Sequence, residues 1–293
     1  MKDFPIPVRA IGPGSQPAED DGLSVLDMPR DMVTFEMPRV PERVAPEVLA
    51  HARELLAGWL EALQAWDPAV QAHGPALALD AAPPEVLAVL AELMGEGEVA
   101  IRVTTTPELR IQESVFSGLW RCLELDAAGR VTRDWLEAGP VPKVVMQRVE
   151  ASVADTLVPV EPGAGAMNSP ALLAELRARL ERFSPEDSAG LINLTLLPMT
   201  PQDHATLQQA LPVGPVAMIS RGFGNCHVTS TGTRHVWRVQ YFNSMQTLIL
   251  DTLEIVGLPE AAIAAPEDLV DSRQRLAELV QWMADDAAPA SSH

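Results

Sequence analysis

The chain is short of several residue types that usually carry an obvious chemistry. Its two cysteines, Cys122 and Cys226, cannot build a disulfide framework, and no CxxC pair surrounds either. A single tyrosine leaves no material for a tyrosine-rich binding surface. Basic residues are scarce: 21 Lys and Arg stand against 40 Asp and Glu, a net charge of −19. Such a surface repels nucleic acid and anionic lipid. No apolar run approaches the roughly 18 residues of a membrane helix. The opening Met1-Lys-Asp-Phe-Pro-Ile-Pro-Val has no apolar stretch of signal-peptide length. These shortages predict a cytoplasmic protein with no nucleic-acid partner and no membrane insertion. No Ser-His-Asp or Cys-His-Asn order emerges either. No catalytic residue, cofactor or metal site is therefore assigned, and the chain is expected not to be an enzyme.

What the chain does have is a middle written twice. Trp120-Arg121 returns as Trp237-Arg238. Asp134, Leu136 and Glu137 return as Asp251, Leu253 and Glu254. Gly97, Val99 and Ala100 return as Gly214, Val216 and Ala217, and Pro142 returns as Pro259. All these pairs share one offset of 117 residues, with no gap expected from Leu77/Leu194 onward. A repeat of this length is a duplicated domain rather than a solenoid unit, and it accords with a chain of 293 residues. Features common to both copies point to architecture. Features present in one copy point to function.

Four segments follow: a proline-rich extended arm (1–45), a first repeat (46–156), a linker (157–169) and a second repeat with a C-terminal helix (170–293). Seven prolines bar a long helix from the arm. Each repeat reads as helix, strand, helix and β-meander, so the fold class is α+β, built twice. Ser169 is expected to cap the second repeat's first helix, and Thr200 with Asp203 resembles a capping box before its second.

The hairpins allow a sharper inference. Centring the first turn on Ala127-Ala128 places Arg121 directly opposite Asp134. The same arithmetic places Arg238 opposite Asp251, around Asn243–Gln246. Each pair could be a functional charge pair or a salt bridge that holds strand register. Its presence in both copies favours the second. Trp120 and Trp237 fall on the other face and read as core.

Two features belong to the second copy alone. Cys226-His227 with His235 could supply metal ligands or a reactive thiol, or Cys226 could be a small buried apolar residue. The loop Arg221-Gly222-Phe223-Gly224-Asn225, leading into Cys226, is glycine-rich, whereas the first copy has Thr104-Thr-Thr-Pro-Glu108. The loop runs between two strands, so it does not resemble a phosphate cradle leading into a helix. An Arg and a Phe presented on glycines suit protein recognition.

The stretches Ser220-Arg-Gly-Phe-Gly-Asn-Cys-His-Val-Thr-Ser-Thr and His235-Val-Trp-Arg-Val-Gln-Tyr-Phe-Asn-Ser-Met245 resemble the HupH/HyaF family of hydrogenase expression proteins. Arg110-Ile-Gln-Glu-Ser-Val-Phe-Ser-Gly-Leu-Trp-Arg121 does too, as do Gly12-Pro-Gly-Ser-Gln-Pro17 and Met28-Pro-Arg-Asp-Met32 in the arm. The resemblance implies a non-enzymatic chaperone for the small, iron–sulfur subunit precursor of a membrane-bound [NiFe] hydrogenase, acting before twin-arginine export. It also implies a thioredoxin-fold companion protein. The alternative is an iron–sulfur assembly or redox factor that uses Cys226.

Overall fold

The ten strands among the described residues lie in one antiparallel sheet. The computed structural model describes residues 44–184, 190–222 and 225–286, so the arm up to residue 43 lies outside the described residues. Copy one runs through α1 (Pro46–Ala65), β1 (Ala76–Ala78), α2 (Pro84–Met94), β2 (Val99–Val103), β3 (Glu108–Glu113), β4 (Leu119–Leu125), β5 (Val131–Ala138) and α3 (Lys143–Ser152). Copy two runs through α4 (Ser169–Leu180), β6 (Gly190–Asn193), α5 (Pro201–Ala210), β7 (Val213–Ser220), β8 (Asn225–Thr231), β9 (Val236–Phe242), β10 (Leu248–Ile255), a 3-10 turn (Glu260–Ala262) and α6 (Pro266–Asp286). The α+β class and the duplication are both present. Helix α3 has no place in the sequence reading because its three valines favour strand; burial of Val145 and Val149 holds it in place.

The order β1-β5-β4-β3-β2-β7-β8-β9-β10-β6 joins the copies at β2 and β7. Val99 lies opposite Ser220, Ile101 opposite Met218 and Val103 opposite Val216. Met218 is the counterpart of Ile101, so a pseudo-two-fold axis passes through this pair. The flanking bonds obey the same symmetry: Arg221 N donates to Glu98 O (3.1 Å) and Thr104 N donates to Pro215 O (2.9 Å).

Each sheet face is a core surface. On one face, α1, α2 and α6 enclose Leu56, Leu63, Leu90, Leu119 and Leu136. On the same face α4 and α5 enclose Leu173, Leu176, Leu207, Leu253 and Ile255. The opposite face carries Trp120, Cys122, Trp135, Met218, Cys226 and Trp237, covered by α3 and the 3-10 turn. Both expected core tryptophans are buried, at 0% and 2% exposure. Their indole N–H groups donate to Gly139 O (2.8 Å) and Gly257 O (3.2 Å).

The segments that follow each copy cross to the other. Ala154 bridges to Thr233 at the β8–β9 turn, and Leu157 enters the core of copy two. In return, α6 packs Leu269, Leu276 and Met283 into the core of copy one. Leu269 fills the space beside Gly118, which has φ 77° and sits at the β3–β4 turn. The counterpart of Gly118 is His235, also left-handed at φ 62°, and its ring stacks on Phe183 at 4.3 Å. His235 thus belongs to the turn before β9, not to a strand.

Two alignments from sequence need correction. Leu77 pairs with Leu136 and Ile192 pairs with Leu253. Leu77 therefore corresponds to Ile192 rather than Leu194, and the connection into α5 carries the gap. The hairpin register also differs. Asp126 Oδ1 accepts from Ala128 N and Arg130 N, and Asn243 Oδ1 accepts from Met245 N and Thr247 N. Gly129 and Gln246 take φ 75° and 60° to close these side-chain-capped turns. A bulge follows each turn, at Thr132 and Ile249. Arg121 therefore opposes Leu136, and Arg238 opposes Leu253. Asp134 and Asp251 are their diagonal neighbours on the same face.

The expected capping box is present: Thr200 Oγ1 accepts from Asp203 N (3.1 Å) while Asp203 Oδ2 accepts from Thr200 N (3.0 Å). Ser169 does not cap α4 with its side chain. It occupies the helix's first position, and its hydroxyl donates to Asp203 Oδ1 (2.8 Å). The same oxygen accepts from the N–H groups of Met167, Asn168 and Ser169. Burial alone would raise the Asp203 pKa, but the bonds from Ser169 and Thr200 outweigh it and hold the carboxyl well below the usual range. The sign follows: a depressed folded pKa adds stability above the unfolded value, near pH ~4, and that stability is lost as pH falls below it. Asp203→Ala should cost on the order of 3 kcal/mol in urea denaturation at pH 7 by orphaning buried donors. The gap from wild type should narrow in acid below pH ~4.

Candidate functional site

The repeated Arg–Asp pairs are bidentate in both copies. Arg121 Nε and Nη2 donate to Asp134 at 3.1 and 2.7 Å, and Arg238 donates to Asp251 at 2.9 and 2.6 Å. The aspartates are 6% and 5% exposed, and the guanidinium groups are partly buried. Each carboxylate lies where the short outer strand ends. Leu79 N donates to Asp134 O and Leu194 N to Asp251 O, both at 2.8 Å. The pairs therefore lock the outer strand pair of each half-sheet.

The ends of the Arg221–Asn225 stretch are placed by the two-fold seam. Arg221 and Gly222 follow β7; Phe223 and Gly224 lie outside the described residues; Asn225 opens β8. A side chain at Gly222 would collide with the Glu98 carboxylate. Arg221 and Gly222 thus rest on the corner before β2 of copy one, which the sequence alone does not connect with them. Asn225 lies opposite Phe242, and Phe242 opposite Leu248, so the start of β8 shares one end of the sheet with the β9–β10 hairpin.

Cys226 lies inside, fully buried, opposite Tyr241 and Ser220. Burial pushes its thiol up to about 11, despite the hydrogen bond with Tyr241, whose hydroxyl is itself pushed up to about 12, chiefly by burial. Burial, with the Glu137 and Asp134 carboxylates nearby, also holds the Cys122 thiol well above its usual range. A thiol so placed carries little thiolate at neutral pH. Strand alternation sends His227 to the other face, where its ring meets Phe242 at 4.7 Å. Burial lowers the His227 pKa. Cys226, His227 and His235 do not converge, and no group of three metal-ligating side chains occurs among the described residues. No helix among them is long and apolar enough to cross a membrane.

The model of the C-terminal conserved region of HupH hydrogenase expression protein matches this chain twice, over residues 49–158 and 166–283. The chain belongs to that family. The two matches begin 117 residues apart, the offset of the internal repeat. The chain is 41% identical over 286 residues to the hydrogenase expression/formation protein HoxQ of Cupriavidus necator, covering 97% of this chain and 99% of the relative. It is 38% identical to HupH of Rhodobacter capsulatus over 282 residues, covering 96% and 98%. It is 34% identical to the hydrogenase-1 operon protein HyaF of Escherichia coli over 285 residues, covering 95% and 97%. A solved structure of the hydrogenase expression protein HupH from Thiobacillus denitrificans aligns at 28% identity and a TM-score of 0.35, over 40% of this chain and 96% of that one.

Two outcomes follow from the geometry. Arg238→Met strands the buried Asp251 carboxylate and should cost on the order of 2–4 kcal/mol by urea denaturation. Cys122 and Cys226 should resist iodoacetamide at pH 8 in the folded protein and react promptly in denaturant, as mass spectrometry would show. Rapid labelling of native Cys226 would reopen a redox role.

Proposed function

We propose that this chain is a non-enzymatic maturation factor that holds the small, iron–sulfur subunit precursor of a membrane-bound [NiFe] hydrogenase in the cytoplasm before twin-arginine export. The observation that carries the reading is family membership along nearly the whole chain, with both copies matched. The relatives bear hydrogenase expression or formation in their names. The Arg221–Cys226 stretch supports a binding role, because it is the part of the meander that copy one replaces with a different loop. A thioredoxin-fold companion protein belongs to the same reading. The competing redox role for Cys226 is disfavoured by a thiol that is buried and raised to about 11.

The test is affinity capture. Immobilised full-length chain should retain small-subunit precursor from a cell extract and release little of the large subunit. Failure to retain the precursor above the large-subunit background would remove this function. If the loop takes part, Arg221→Ala should weaken retention about 10-fold, equivalent to ~1.4 kcal/mol, with unfolding midpoint unchanged.

A further inference from the structure

The two β-hairpins form an internal control. Both close with the same Asx-capped turn, and both bulge at the equivalent residue. In both, the outer edge beyond the turn has no strand beside it among the described residues. β1 pairs with β5 only from Trp135 to Glu137, and β6 pairs with β10 only from Thr252 to Ile255. Backbone geometry is thus shared, and only the side chains differ.

They differ in one direction. Copy one carries two exposed arginines along this edge: Arg130 pairs with Asp126 of the turn (2.7 Å), and Arg133 lies over the Trp135 ring. Copy two has Thr247 and Leu250 at those positions. Thr132 becomes Ile249, Val131 becomes Leu248 and Ala128 becomes Met245. Met245, Ile249 and Leu248 are 82%, 57% and 41% exposed. From Val239 to Leu250 there is no charged residue, in a chain that is 21% charged. Charged side chains are the usual protection of an open strand edge, and an uncharged apolar edge is a template for another strand.

We propose that the outer edge of β10 at Leu248–Leu250, with Met245 beside it, receives an extended, uncharged, apolar segment of a client polypeptide as an added strand. Main-chain bonds would hold the segment, and Ile249 and Leu248 would contact its alternate side chains. The uncharged surround selects against a charged segment, because a charge brought against it would lose water without gaining a partner. A second copy of this chain is the poorer occupant. Three edge residues cannot approach the roughly 1,200 Å² that a stable interface buries. A short edge suits a client that is held and then let go. The inference rests on the proposed chaperone role for the client's identity, and on the hairpin comparison for the place.

The test uses full-length chain and an array of overlapping 12-residue peptides spanning both cognate hydrogenase subunit precursors. Thr247→Arg with Leu250→Arg places the two arginines of copy one at the equivalent exposed or half-exposed sites. Wild type should bind a few uncharged, β-prone peptides, and the double variant should lose them at least tenfold with an unchanged unfolding midpoint. Arg130→Thr with Arg133→Leu should add a second binding edge and raise the peptide stoichiometry. Binding of the same peptides by the double variant, binding confined to charged peptides, or no binding at all would overturn the proposal. So would a concentration-dependent dimer of wild type that the double variant abolishes. If whole small-subunit precursor is not retained but uncharged peptides bind in an edge-dependent way, the edge stands and the client assignment falls.

Discussion

The pairing of β2 with β7 is the constraint on which the rest depends. Val99, Ile101, Val103, Val216 and Met218 are all nearly inaccessible. If the copies were separate, each would expose one of these strands as a long apolar edge, which sheet proteins avoid. Joining them antiparallel through Ile101 and Met218 removes both edges at once. Among the described residues, the ends of the sheet are then the short β1 and β6, of three and four residues. The arrangement has the self-complementary logic of a two-fold dimer interface, placed within one chain. The crossed segments follow from it: once the halves share a sheet, each connection can fill the core of its neighbour.

Symmetry of the backbone makes the asymmetry of the side chains informative. Gly97 and Gly214 occupy equivalent points where a Cβ would meet the carbonyls of Ser114 and Thr231, so that glycine is architectural. The Arg121–Asp134 and Arg238–Asp251 pairs are architectural by the same test. Gly118 and His235 show the opposite case. Both hold a left-handed turn, but Leu269 crowds one and Phe183 stacks on the other. Divergence there reflects packing by unlike neighbours. The β10 edge differs between the copies without a change of backbone, and Asn225, at the start of β8, lies at the same end of the sheet.

The repeat, the fold class and the buried tryptophans were legible because they rest on side-chain identity at a constant spacing. The salt bridges were legible as contacts but not as register. A turn centred by its glycine ignores the extra residues that Asp126 and Asn243 organise and the bulges at Thr132 and Ile249. Arginine is long enough to reach a diagonal carboxylate, so the pair survives a two-residue slip that a shorter cation would not. Helix α3 was illegible because its valines carry strand preference and only burial overrides it. The crossing of α6 was illegible because nothing local in Leu269, Leu276 or Met283 states which copy they will cover. The difference between the copies at Arg221–Asn225 was legible, but the Glu98 corner beside Gly222 depends on the seam.

The same seam bears on where the molecule is rigid and where it can adapt. The central strands are paired on both sides, and their side chains are buried in two face cores, so nothing there can open without loss of the whole sheet. Adaptable contact is left to the ends of the strands, where turns and unpaired edge residues cost little to rearrange. Copy one closes its end with arginines, whereas copy two leaves its end uncharged. A duplicated fold can therefore keep its shared middle rigid while one end diverges. The second copy is free to vary there because the seam and the paired salt bridges lie elsewhere in the sheet.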